Sequence, residues 1–348
     1  MLASIPNAPS SKRPEGMGYA NVRTESTFEQ IPVIDFANAS STDPVLRRKL
    51  ADEIRDASIN VGFFYIKNHG ISADVIFDAL DAGKKFFALP EESKKHIDIH
   101  KSSAFKGYTA LLGENTNSEN EGDLHEGFDI GWEPEPESSS ALVERNDGAM
   151  AGENVWPEGI PGFKSDVLTY YHAVVRLGQQ LFPLFALALD LPENFFDDKT
   201  TKPAAIMRLL HYPPQPTRPA EKVIGIGAHT DYECFTILWQ DGVGALQVMN
   251  TDGKWVDAVP IEGTFVLNLG DQFARWTNDI FKSTMHRAIN KSGRERYSIP
   301  LFFGTDYDVK LEPLPGCVTV ERPARYEVVT AGEYVKSRLE ATYAHSKA

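Results

Sequence analysis

The chain has 348 residues, with 35 lysines and arginines against 49 aspartates and glutamates, for a formal charge of −14. That length hides roughly three quarters of the extended surface on folding; with 42% hydrophobic and 11% aromatic residues it excludes a disordered chain, and the acidic balance excludes a general nucleic-acid-binding surface. Two cysteines, Cys234 and Cys317, exclude a disulfide framework.

Residues 1–30 read as a flexible lead-in, rich in Pro, Ser, Asn and Gly, without the apolar run of a signal peptide. The longest apolar patch, Leu181–Leu189, is about half a bilayer span, so a cytoplasmic protein with no membrane partner is expected. IPVIDF (31–36) is the first strand-like run. Asp43–Pro44 reads as an N-cap with proline at the first helical position, and Leu46, Leu50, Ile54 and Ala57 recur at helical spacing after it. VGFFYIK (61–67) is a strand ended by Asn68–His69–Gly70. Ser72 can cap a second helix with Ile76, Leu80 and Phe87 on its apolar face, and Pro90 stops it or opens the next turn.

Residues 102–152 are the least regular stretch, acidic and too long for an ordinary connection, so a functional loop or lid is expected there. Phe163–Leu189 carries a long helical pattern, with Pro183 expected to kink it. From Ala204 onward short β-rich runs follow one another, separated by Gly, Asp and Pro turns. This is the pattern of a jelly roll or another antiparallel sandwich. Thr330 and Glu333 form a possible capping box for a last helix reaching about Ala344. The expected organisation is a helical region over 31–190, a jelly-roll core over 200–308 and a C-terminal extension with a helix over 309–348. The strands of the first region cannot stand alone as a sheet and are expected to extend the main one, with the helices on its outer face.

His229–Thr230–Asp231 lies between two β-like runs, and positions i and i+2 of a strand share a face. His229 and Asp231 can therefore converge on one metal ion, with His286 in KSTMHRAI as a third ligand from elsewhere in the chain. Two histidines and one carboxylate leave coordination positions open, which suits non-haem Fe(II) acting on O2. By spacing alone, a buried core histidine beside a turn aspartate fits equally well. Ten positions after His286, Arg296 and Ser298 share a strand face. A guanidinium and a hydroxyl so placed suit a carboxylate.

Together these motifs resemble the iron(II)/2-oxoglutarate-dependent dioxygenases of the isopenicillin N synthase-like group. The resemblance runs from IPVIDF (31–36) and GFFYIKNHG (62–70) through MRLLHYPP (207–214), GAHTDY (227–232), LNLGDQFARWTND (267–279) and KSTMHRAI (282–289) to RYSIPLFF (296–303). It implies a distorted double-stranded β-helix, a cupin-like jelly roll, mainly β with flanking helices. It also implies that His229, Asp231 and His286 bind Fe(II), that Arg296 and Ser298 bind the far carboxylate of 2-oxoglutarate, and that Tyr212 sits beside it. Many plant relatives have Asn two residues before that tyrosine; here it is Leu210. The implied reaction consumes O2 and 2-oxoglutarate, releases succinate and CO2, and oxidises a C–H bond of a small molecule, with ascorbate as a stimulant.

Tyr108, His125, Phe128 and Asp129 in the irregular stretch are expected to border the substrate. Arg275 is expected at the cavity mouth. Phe303 is expected in the cavity wall, with Phe302 on the opposite face. Secondary metabolism is the expected setting, and a monomer or weak homo-oligomer the expected state. Three other readings stay open: a hydroxylase of free pyrimidines such as thymine, an oxidase of this fold that uses no 2-oxoglutarate, and a non-catalytic binding module.

Overall fold

The computed structural model describes residues 27–102, 104–116, 122–134, 152–215 and 224–344. Residues 1–26 of the expected lead-in, and 103, 117–121 and 135–151 of the expected lid, lie outside them.

Val33–Asp35 (β1) pairs in parallel with Phe63–Lys67 (β2), and Pro44–Asn60 (α1) makes the crossover between them. The Asp43 carboxylate accepts the Val45 N–H at 2.8 Å, and Pro44 sits in the first turn, where a missing N–H costs nothing. Ala73–Phe87 (α2) starts from Ser72 and buries Ile76, Ala79, Phe86 and Phe87. Phe163–Ala188 (α4) follows a short helix, Glu91–Lys95 (α3), and continues through Pro183 for five further residues.

The later strands are Ala205–Tyr212 (β5), Ile226–His229 (β6), Phe235–Gln240 (β7), Leu246–Met249 (β8), Trp255–Asp257 (β9), Thr264–Leu269 (β10), His286–Ala288 (β11) and Arg296–Phe303 (β12). A short helix, Asp271–Trp276 (α5), follows β10, and Ala331–Ala344 (α6) ends the described chain. The reciprocal bonds between Thr330 and Glu333 form the expected capping box.

Two sheets face each other. The larger has the order β1-β2-β10-β7-β12-β5-β4-β3, with Gly107–Thr109 (β3) and Glu126–Ile130 (β4) at its far edge; the smaller has the order β6-β11-β8-β9. β2 joins the antiparallel ladder of β10, so the early strands extend the main sheet. Every residue of β3 and β4 is buried. The lid reading therefore does not extend to them. They are hydrogen-bonded sheet, although their short runs lack the alternation that makes strands legible.

The outer face of the large sheet carries α1, α2 and α4. Phe182 and Phe185 of α4 pack on Phe235, Phe273 and Phe303 there. A smaller core between the sheets contains Phe63, Tyr65, Leu238, Val248 and Val266. Pro300 interrupts the ladder from β12 to β5, where pairing skips Ile299 and Pro300. On its other side β12 stays paired with β7 through both positions.

Candidate active site

His229 ends β6 and His286 begins β11, and the two residues are directly opposed across the ladder. The register slips just beyond them, between His286 and Ala288, an irregularity of the kind that re-aims side chains beside active sites. The rings stand 4.3 Å apart between centroids. Each Nδ1 faces a backbone carbonyl: His229 that of Gly227 at 2.8 Å, and His286 that of Thr284 at 3.1 Å. Nδ1 therefore carries the proton, and both Nε2 lone pairs point to one place.

Asp231 lies beyond the end of β6, so strand alternation is not what aims it. Two donors from the large sheet hold its Oδ2: Thr236 Oγ1 at 2.5 Å and Asn268 Nδ2 at 2.6 Å. Oδ1 is left 3.6 Å from each histidine Nε2. The possible ligand atoms all lie within 4.8 Å of one another. Burial alone would raise the Asp231 carboxyl, but His286, His229 and Thr236 hold it well below the usual carboxylate range. Burial and the neighbouring His229 push His286 down to about 4. Burial lowers His229, but Asp231 and the Gly227 carbonyl raise it on balance, so an ion bound there replaces a proton. A charged carboxylate with two imidazole nitrogens is a donor set that suits divalent iron.

The same cavity, of about 190 Å³, is lined by Arg296, Ser298, Tyr212 and Leu210 from the large sheet. Arg296 is 1% exposed. Its guanidinium donates to Gln240 Oε1 at 3.1 Å and to Ser298 Oγ at 3.3 Å, and stacks on Tyr212 at 4.6 Å. No carboxylate among the described residues pairs with it, and its Nε makes no hydrogen bond. A buried charge without a counter-ion is costly, so the pocket is built for an anion.

Comparison with known proteins bears on the same arrangement. Residues 31–159 match the model of the non-haem dioxygenase in morphine synthesis N-terminal region, and residues 203–305 that of the 2OG-Fe(II) oxygenase superfamily. The chain is 39% identical to the 2-oxoglutarate-Fe(II) type oxidoreductase hxnY of Emericella nidulans, covering 91% of each chain. The chain belongs to the iron(II)/2-oxoglutarate-dependent dioxygenases. The dioxygenase is also 34% identical to a homoarginine-6-hydroxylase of Oryza sativa, over 90% of this chain and 98% of that one. Its fold matches a Neurospora crassa protein crystallised with alpha-KG and thymine, at a TM-score of 0.78 and 31% identity, over 89% of this chain and 96% of that one.

The other expected pocket residues divide. His125 and Asp129 border the cavity of the dioxygenase. Tyr108 and Phe128 do not: Tyr108 donates its hydroxyl to Glu126 Oε2 at 2.7 Å, and Phe128 packs on Phe86, Phe163 and Trp156. Phe303 is also a core residue, lying on Phe235 and Phe182 beneath α4, and Phe302 faces the cavity in its place. The parity of β12 dictates this, since Arg296, Ser298 and Phe302 all have even numbers. Arg275 is not at the mouth. It donates to the Glu327 carbonyl at 2.8 Å and stacks on Tyr326 and Tyr334, fastening the C-terminal segment.

Sequence reasoning missed four groups. Thr236 and Asn268 hold Asp231 from two other strands. Val335 and Leu339 of α6 close one side of the cavity. Glu233 is a buried carboxyl that burial pushes up to about 8. Arg208 and Glu114 form a second charged wall. Of these, only Arg208 left a signal: alternation along RLLHY puts it on the face of Leu210 and Tyr212.

Proposed function

We propose that His229, Asp231 and His286 hold Fe(II), that Arg296 and Ser298 hold the far carboxylate of 2-oxoglutarate over the Tyr212 ring, and that the enzyme hydroxylates a C–H bond of a small organic molecule in secondary metabolism. The observation that carries this reading is the buried Arg296, without a counter-ion among the described residues, in the same cavity as three converging ligand atoms. Bound iron and 2-oxoglutarate would supply the O2-dependent oxidation, with succinate and CO2 released.

The chain supplies placement. The carbonyls of Gly227 and Thr284 place the proton of each neutral ring on Nδ1, so that Nε2 is the atom offered to the ion, and Thr236 and Asn268 commit one oxygen of Asp231 so that the other faces the ion. Arg296 would hold the far carboxylate of the co-substrate by charge-assisted hydrogen bonding, and Ser298 would donate a further hydrogen bond. Leu210, Phe302 and the α6 side chains offer an apolar surface that excludes water from the reacting carbon.

The test is anaerobic Fe(II) titration of wild type and of His229→Ala, Asp231→Ala and His286→Ala, followed by a small-molecule panel scored by succinate and by product mass. Unchanged iron binding in any variant removes that residue from the ligand set. Substrate loss without succinate would point to the oxidase that uses no 2-oxoglutarate. A free-pyrimidine hydroxylase is the second reading, supported by likeness to the structure that holds thymine. Thymine therefore belongs in the panel, and substrate-dependent succinate release with thymine alone would favour that reading.

A further inference from the structure

The cavity has a second charged wall, away from Arg296. Tyr212, Leu210 and Arg208 alternate onto the cavity side of β5, so Arg208 stands about 13 Å of strand from Tyr212. Asp129 on β4 is its register partner. Arg208 Nε donates to Asp129 Oδ1 at 2.7 Å, while its Nη atoms donate to both Glu114 oxygens at 2.8 and 3.0 Å. His125 Nδ1 lies 2.9 Å from the Gly225 carbonyl. Its Nε2 is 3.4 Å from Glu114 Oε2 and makes no hydrogen bond. Asp129, Glu114 and His125 are 4%, 5% and 2% exposed, yet all border the cavity.

The two carboxylates are not equivalent. Glu114 has both oxygens on the guanidinium. Asp129 has one, and its Oδ2 accepts no hydrogen bond from a described residue. Burial, opposed by Arg208 and reinforced by Glu114, pushes the Asp129 carboxyl up to about 6. An anionic substrate group would meet two carboxylates here, and Arg208 is already engaged by both. A protonated nitrogen would meet one unfilled acceptor, Asp129 Oδ2.

We propose that Asp129, aimed by Arg208, is a specificity-determining residue that binds a cationic nitrogen group of the substrate (an ammonium, amidinium or guanidinium). The proposal rests on the cavity being the substrate site of an Fe(II)/2-oxoglutarate enzyme. Its test keeps the two claims apart.

The protein is first loaded anaerobically with Fe(II) and 2-oxoglutarate, and loading is checked by calorimetry; failure at that step concerns the iron site alone. Benzamidine, benzamide and benzoate, three flat molecules of one size, are then titrated separately into the loaded protein. A charge-assisted hydrogen bond predicts benzamidine binding about 10- to 150-fold more tightly than benzamide, with benzoate weakest. Asp129→Asn should erase that preference. Equal affinities, tightest binding of benzoate, no binding of benzamidine or a preference that survives in Asp129→Asn would each overturn the proposal. The wild-type ranking decides the matter even where the variant does not fold.

Discussion

Arg296 and Ser298 both line the cavity but differ in what they would offer the proposed co-substrate. Arg296→Leu removes a charge and two donors, worth about 3–5 kcal/mol in a desolvated pocket, so the KM for 2-oxoglutarate should rise roughly 100- to 5,000-fold. Ser298→Ala removes one neutral donor, worth about 0.5–1.5 kcal/mol, for a rise of roughly 2- to 13-fold. Initial rates against 2-oxoglutarate at saturating Fe(II) check both. Asn268 acts one step further out. Asn268→Leu keeps the volume but frees Asp231 Oδ2 from its 2.6 Å donor, and should weaken Fe(II) binding about 10- to 100-fold with the fold intact. Anaerobic metal titration with a circular dichroism control measures it. The His-x-Asp motif was legible, but for another reason than the one that aims it. Spacing suggested a shared strand face, whereas the strand stops at His229 and hydrogen bonds from residues 5 and 37 positions away orient the carboxylate. Such partners leave no trace in local spacing.

At the scale of elements, strands and helices with strong local signals were readable and weak edges were not. Asp43–Pro44, Ser72 and the Thr330–Glu333 box announce helices because caps are local chemistry. β3 and β4 stay hidden because burial on both faces abolishes alternation. β4 is anchored by Glu126, which takes hydrogen bonds from Lys94 at 2.5 Å, Tyr108 at 2.7 Å and His211 at 2.7 Å. Burial raises this carboxyl, but the three donors lower it on balance below 4.5. A group lower in the folded than in the unfolded state adds stability above the unfolded value and loses it as pH falls through the folded one. Glu126→Gln should cost about 3–5 kcal/mol at neutral pH and flatten the acid limb of the Tm–pH curve. Gly178 of α4 makes the opposite point about propensity. Alanine gains about 1 kcal/mol in a helix, but a Cβ here would stand 2.5 Å from two ring atoms of Phe303. That ring is held by Phe235 and Phe182, so overpacking of about 1–3 kcal/mol should prevail. Gly178→Ala should lower Tm, as calorimetry would show.

Across the whole molecule, the jelly roll and its flanking helices were foreseeable from the change in pattern at Ala204, and the cavity between the sheets was not. Which residues meet across it depends on register and parity, as Phe302 and Phe303 illustrate. The two family segments, 31–159 and 203–305, suggest a seam between them. The hydrogen bonding contradicts a seam, because β10, which carries Asn268, is flanked by β2 on one side and β7 on the other. On the opposite flank β5 relies on β4. The polypeptide is therefore not modular, and a gene cut near residue 195 should yield two aggregating halves, each with bare strand edges. Co-expressed, the halves should reassemble into a noncovalent complex on gel filtration, and only that complex should retain iron. Any insertion, tag or evolutionary recombination event at this point is thus tolerated only where both halves remain within reach of each other, which makes metal retention a direct assay of chain complementation.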